Sequence, residues 1–250
     1  MRSSASTVAS RVNATPDVLD LVRSLVSLAF VLLLPMLVIS TSLRALVTDR
    51  DFMLRGFQDN QVALSTGLDA PQLERIADAF VAYFQSPLGQ IQMQVTVRGQ
   101  SQPLFNDREV QHMEDVQALI QWFLRLQLVA AGVVLVRLIF AFALDRSPMP
   151  LGREMLWSTA LMLGLVVLVG ALSLLDFEAL WTRFHQVAFR NDLWQLDPTR
   201  DYLIMLFPEP FWFAATIRMA VSVALQMAVV AISGGALVFF GPRLLGDRSA

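Results

Sequence analysis

The chain has 250 residues, 55% hydrophobic and 16% charged, with a formal net charge of −2. A soluble domain of this length would carry nearer a quarter of its residues as charges, so composition points away from a soluble globule, and the charge balance argues against a nucleic-acid role. Cysteine is absent, which excludes a disulfide framework and a thiolate metal site, and every basic side chain is arginine, a pattern best read as genomic base bias.

Taken in chain order, residues 1–24 precede the first long apolar run, 25–43. Crossing a hydrocarbon core takes about 20 apolar residues, and this run meets that length despite Pro35. It starts too far into the chain, and lacks the small-residue cleavage pattern, for a signal peptide, so it reads as an anchor and first span.

Segment 44–124 reads as a small folded cap. Leu73, Ile76, Ala77, Phe80 and Phe84 share one face of a helix over 71–85, with Asp69 placed to cap it. Ile91, Met93, Val95 and Val97 then alternate with polar residues, the period of a half-buried strand. Arg98-Gly99-Gln100-Ser101 reads as a turn leading to a short return strand at 103–105. Asn106 and Glu109 form a capping-box pair at the start of a helix that can run on into the second span, 125–144.

A short connection, 145–154, leads to the third span, 155–175, which has no charge. Segment 176–210 opens on an apolar stripe of Phe177, Leu180, Trp181, Phe184 and Ala188. Asp197-Pro198 predicts a second short helix, with Asp as cap and Pro at its first position. The fourth span covers 211–240, and 241–250 is the C-terminal tail. The fold class expected is an all-α transmembrane four-helix bundle with a small α+β extracytoplasmic cap.

Arginine placement sets the expected orientation. Arg2, Arg11, Arg23, Arg146, Arg153, Arg243 and Arg248 fall in the termini and the short connection, while 44–124 and 176–210 are acid-rich. The positive-inside rule then puts both termini in the cytoplasm and both longer segments outside.

His112 and His185 are the only histidines, and both fall in the outer segments. His112 lies ten residues before Trp122 and His185 ten after Leu175; unbroken helices would put each about 15 Å beyond the core boundary. The second and third spans are joined by a short loop and should be neighbours, which lets the imidazoles face each other. Glu109 and Asp115 lie at i−3 and i+3 from His112, where either carboxylate could orient the ring of a general base. The plain alternative is a surface histidine on the solvated face of a capped helix. For His185, beside Trp181, the plain alternative is an aromatic and histidine cluster resting at headgroup level.

Glu109-x-x-His112 matches half of a di-iron pattern whose second half is missing, since Thr182 precedes His185 by three residues. A single metal held by both histidines and Asp115 or Asp192 stays open. Arg137 and Arg218 lie within spans, where charge is costly; Arg137 is near enough to an end to snorkel, and Arg218 could face the histidines.

Two stretches carry a family resemblance: Leu104-Phe105-Asn106-Asp107-Arg108-Glu109 with His112-Met113-Glu114-Asp115-Val116, and Phe184-His185 with Asn191-Asp192-Leu193-Trp194-Gln195-Leu196-Asp197-Pro198 and Leu206-Phe207-Pro208. Together with the four-span layout they resemble the bacterial membrane family that includes the lipoprotein intramolecular transacylase. The resemblance implies acyl transfer within one diacylglyceryl-modified lipoprotein, from the glyceryl sn-2 ester to the α-amino group of the N-terminal Cys. It carries the paired catalytic histidines onto His112 and His185.

Around them, Arg108, Glu109, Asp115, Arg190, Asn191, Asp192, Trp194 and Arg218 are the candidates for binding or orienting the substrate. No cofactor and no metal are expected, because the reactants are already tethered to each other. The expected partners are such lipoproteins and membrane lipids. A non-catalytic lipid or lipoprotein binder and a metal-dependent membrane hydrolase are the competing readings.

Overall fold

The computed structural model describes residues 18–87, 89–145 and 147–246, with backbone alone for 242–246. Arg2, Arg11, Arg146 and Arg248 therefore lie outside the described residues, as does the side chain of Arg243.

The architecture is a bundle of long helices with a cap at one end. Helix α1, Val18–Val47, carries Pro35 without breaking. The next three helices are α2, Arg50–Asp59, α3, Val62–Thr66, and α4, Ala70–Gln85. Asp49 and Asp69 cap α2 and α4, accepting from Phe52 N at 2.8 Å and Gln72 N at 3.0 Å. Each thereby satisfies a backbone donor that the first helical turn leaves free.

Strands β1, Gln94–Val97, and β2, Gln100–Pro103, form an antiparallel hairpin. Its turn is the two-residue Arg98-Gly99, with φ of 52° and 79°, so the return strand starts at Gln100 rather than at 103. Two successive left-handed residues match the twist of a tight hairpin, and glycine takes the second at no steric cost. The Gln72 side chain docks the hairpin on α4, bonding Thr96 O and Thr96 N at 3.0 and 2.7 Å.

Helix α5, Asp107–Ala143, is continuous from the Asn106–Glu109 capping box to the far end of the bundle. Helix α6, Met149–Leu175, stops at Asp176, whose backbone is extended and whose carboxylate caps a separate helix α7, Phe177–Ala188, accepting from Ala179 N at 2.9 Å. Asp197 caps only a turn, through Thr199, so the short helix predicted there starts later, as α8, Tyr202–Leu206. Helix α9, Glu209–Gly246, completes the chain. Four helices, α1, α5, α6 and α9, are long and apolar enough to cross a membrane.

The bundle is not packed in the order its connections suggest. Helix α1 lies along α5 and also touches α6 and α9, α6 lies along α9, and α5 and α6 meet only weakly. Hence the short 145–154 connection does not make the second and third spans close neighbours. Close approach of α6 and α9 depends on Gly152 and Gly234, since a Cβ on Gly152 would stand 2.6 Å from Gly234 O. Small residues let apolar helices come within van der Waals reach where lipid offers no hydrophobic drive. Polar side chains tie α1 to the rest: Ser158 Oγ donates to Val31 O at 3.1 Å, and Gln226 Nε2 to Ser42 Oγ at 2.8 Å.

Two apolar cores result. One lies in the bundle around Phe30, Leu34, Val38, Leu151, Val223 and Met227. The other fills the cap, where α4 meets α5, α8 and the start of α9 through Ile76, Phe80, Leu104, Met113, Leu206 and Phe207. Phe207 is its keystone, with Phe80, Phe57 and Phe211 ring centroids at 4.8, 5.5 and 5.0 Å.

Candidate active site

His112 projects from the second turn of α5, and His185 from the last turn of α7. Met113, next to His112, is buried in the cap core, and Tyr83 Oη donates to Met113 O at 2.8 Å. This fixes which face of α5 turns away from the cap core. The two rings stand 5.9 Å apart, tilted by 36°, and the residues are 6% and 7% exposed. They meet although α6 ends at Asp176, so the unbroken-helix reasoning gives the right neighbours by the wrong route. Helix α7 is re-aimed at Asp176 and brings His185 across to α5.

Aromatic rings close in around the pair. Phe189 stands edge-on to His112 at 5.2 Å and lies 5.6 Å from His185. Trp181 meets His185 edge to face at 4.7 Å instead of stacking over it, and Trp194 lies 5.0 Å away, tilted by 32°. His185 Nδ1 lies 2.8 Å from Trp181 O. A carbonyl can only accept, so Nδ1 carries the proton of the neutral ring and Nε2 keeps its lone pair. His112 Nδ1 is buried without a hydrogen-bond partner.

Burial, and then the nearness of His185, push the His112 imidazole from its ordinary value of 6.5 down to about 4. Burial also lowers His185, opposed by the bond to Trp181 O. Both rings are therefore neutral at pH 7, and both cannot be charged together at low cost.

The segment after Phe189 is strapped to the His112 face of α5. Asn191 Nδ2 donates to Asp115 Oδ2 at 2.8 Å, one turn beyond His112. One turn before it, Arg108 donates to Asp192 O and lies 3.6 Å from its carboxylate. Trp194 Nε1 donates back to Asn191 O at 3.0 Å, which sets the indole beside His185. Of the predicted residues, Arg108, Asp115, Asn191, Asp192 and Trp194 thus gather around the histidines; their hydrogen bonds hold the strap, and none of those bonds goes to the His112 ring.

Three predicted residues lie elsewhere. Glu109 does not orient His112: its oxygens accept from Asn106 N at 2.8 Å and Leu203 N at 2.6 Å. It is 1% exposed, and burial raises its carboxyl above the usual range. Arg218 pairs with Asp49 and lies 4.9 Å over the Phe52 ring, away from both histidines. Arg190 is exposed, with no hydrogen bond or ion pair among the described residues. Arg137 does not snorkel; it is 3% exposed and held by Glu154 at 2.6 and 3.0 Å and by Asp145 at 3.0 Å.

Two residues missed from sequence complete the arrangement. Phe189 is i+4 from His185, a spacing that was there to be used. Asp201, 1% exposed, accepts from Asn106 Nδ2 at 2.9 Å and Asp197 N at 2.7 Å. It repays Glu109 across the fold: Glu109 caps α8, and Asp201 holds the cap residue of α5. No local pattern announces such an exchange.

The described residues contain no cluster of three His, Cys, Asp or Glu placed to hold a metal. Asp115 accepts from Asn191, and Asp192 lies beside Arg108.

Fold and site define a class: an integral membrane protein carrying two neutral, mutually facing imidazoles where its cap meets its bundle. The profile of the family Lipoprotein intramolecular transacylase Lit matches residues 28–212. The chain belongs to that family. It is 22% identical over 232 residues to an uncharacterised protein of Aquifex aeolicus, covering 91% of this chain and all of that one. It also shares its fold with the membrane-integral lipoprotein intramolecular transacylase of Bacillus cereus. There the TM-score is 0.73 at 15% identity, covering 87% of this chain and 96% of that one. Structures of that enzyme with one histidine replaced by alanine or by arginine match with TM-scores of 0.68.

Proposed function

We propose that this protein moves an acyl chain from the glyceryl sn-2 ester of a diacylglyceryl-modified lipoprotein to the α-amino group of its N-terminal Cys. The observation that carries this reading is the facing of His112 and His185 at 5.9 Å inside a ring of aromatic side chains. Family membership supplies the substrate class.

The two imidazoles take different parts. His185 presents a bare Nε2, because its Nδ1–H is held by Trp181 O, so it is the base that takes a proton from the attacking amine. The amine nitrogen bonds to the ester carbonyl carbon, and the carbonyl oxygen becomes an oxyanion. His112 stays neutral throughout. Its buried Nδ1 is without a donor or acceptor; with the proton on Nε2, that N–H hydrogen-bonds the oxyanion and keeps its proton. When the ester C–O bond breaks, protonated His185 returns the proton to the glyceryl oxygen. One proton leaves nitrogen and one arrives on oxygen, and no water enters. Aromatic walls keep the site dry, which strengthens each of these hydrogen bonds.

In this reading both termini are cytoplasmic and the histidines lie on the outer face. Acyl tails then stay in lipid while the polypeptide beyond the N-terminal Cys extends into water. The test is fragmentation mass spectrometry of the N-terminal lipopeptide from cells lacking their usual N-acyltransferase, which shows whether an acyl chain sits on the amine or on the glyceryl group. The transacylase converts free-amino diacylglyceryl-Cys to N-acyl monoacylglyceryl-Cys at unchanged mass. A hydrolase would release fatty acid instead, and a binder would tolerate His→Asn exchange.

A further inference from the structure

At the opposite end of the bundle, Arg137 lies 25 residues along α5 from His112, about 37 Å at the rise of a helix. A cavity of about 450 Å³ opens there, lined by Arg23, Ser24, Ser27, Arg137, Asp145 and Glu154 with Phe140 and Pro150. Nothing in the acyl-transfer chemistry uses it.

Its chemistry is balanced, with two guanidiniums facing two carboxylates. Arg137 is consumed, since Glu154 holds one edge of it with both oxygens and Asp145 takes Nη1. Arg23 is not. Its Nε is buried without a partner, and its remaining contacts are long, 3.4 Å to Leu144 O and 3.8 Å to Asp20. Asp145 uses only Oδ2, and neither Asp145 Oδ1 nor the Ser27 hydroxyl has a hydrogen bond among the described residues. The cavity thus offers a weakly held cationic donor, a carboxylate oxygen without a hydrogen bond and a hydroxyl, near the end of α5.

The Arg23 side chain is 37% exposed and its terminal nitrogens make only these long contacts, so its guanidinium stays open to an anion from the cavity. An anion alone would be repelled by Asp145 and Glu154, and a cation alone by Arg23. We propose that this cavity binds the zwitterionic headgroup of a phospholipid with a primary ammonium, a phosphoethanolamine ester. Its phosphate takes the exposed guanidinium nitrogens of Arg23 and the Ser27 hydroxyl, and its ammonium donates to Asp145 Oδ1. A choline headgroup has no N–H to donate, and a glycerol headgroup has no cation.

The test uses the full chain in nanodiscs of equal parts phosphatidylethanolamine, phosphatidylcholine and phosphatidylglycerol, with native mass spectrometry of the lipid retained on ejection. Retention of phosphatidylethanolamine at least five-fold above either other lipid is expected, falling to parity in Arg23→Gln. Ser27→Leu, which fills the cavity without touching an ion pair, should lose the preference too, with its melting temperature as the control for folding. Equal retention of the three lipids by the wild type would overturn the proposal, as would a preference unaltered in both folded variants. Millimolar inorganic phosphate should leave retention unchanged; displacement by phosphate would overturn the lipid as the ligand. None of these outcomes depends on acyl transfer.

Discussion

His112 and His185 are each shaped by what they lack as much as by what they touch. Neither ring is hydrogen-bonded to a carboxylate, so burial dominates and both are held neutral. The sign for stability follows. A histidine whose folded value lies near 4 and whose unfolded value is 6.5 contributes fully above pH 6.5, and that contribution is lost as pH falls toward 4. The loss from His112 should reach roughly 3 kcal/mol. The melting temperature of the wild type should therefore fall more steeply between pH 7.5 and 5 than that of His112→Asn. Parallel slopes would show that His112 is not buried neutral. From sequence, the pairing of the histidines was expected from equal distances to span ends. That geometry fails, since α6 ends at Asp176 and meets α5 only weakly; the turn of α7 that joins them has no local signal. The direction of their environment was not legible either: acidic Glu109 and Asp115 at helical spacing suggested carboxylate partners, and both turn to partners from distant segments.

At the scale of elements, signals that stay within one segment were legible. The Asn106–Glu109 capping box, the Asp69 cap and the apolar face of α4 can be read because each depends on residues within a turn or two. Helix α2 was invisible because only Met53 and Phe57 of its ten residues are buried, too few to show a period. The Glu109–Asp201 exchange joins segments about a hundred residues apart, beyond any local rule. Its removal should be felt as stability: Glu109→Gln leaves a buried backbone N–H facing an amide donor, which costs about 1–3 kcal/mol. A thermal melt of Glu109→Gln and Asp201→Asn, singly and together, checks this, and the double variant should lose less than the sum.

The strap from Asn191 to Trp194 makes a different prediction. Arg108→Gln and Asn191→Ala remove its ties without touching either imidazole, so acyl transfer should fall by about ten-fold while melting moves little, since the pairs are solvent-exposed. An unchanged rate in both variants would separate the strap from the site.

For the whole molecule, the unexpected feature is the central place of α1. Connection length predicted that α5 and α6 would lie together, yet each has a closer partner, α1 and α9. Short loops constrain helix ends but not which faces match, and here the match is made by Gly152 against Gly234. Gly152→Val should push α6 and α9 apart at a cost of about 1–3 kcal/mol or more. Its readout is a lowered melting temperature in detergent, larger than for Gly164→Val, where nothing stands within 4 Å of the added Cβ. Class, number of spans and family were all readable from apolar run lengths and two motifs, because membrane insertion is decided by composition over some twenty residues. Packing order is decided by side-chain shape across helices, which run lengths do not carry.

The most direct measurement is fragmentation mass spectrometry of a reporter lipoprotein's N-terminal lipopeptide, which locates the acyl chain on nitrogen or on glyceryl oxygen. The wild type, His112→Asn and His185→Asn are each expressed in cells lacking their usual N-acyltransferase. The expected result is N-acyl monoacylglyceryl-Cys with the wild type, at the mass of the diacylglyceryl form, and the free-amino diacylglyceryl form with either variant. Unconverted lipopeptide with a well-inserted wild-type protein, or conversion that survives loss of either histidine, would contradict the assignment of acyl transfer to this pair.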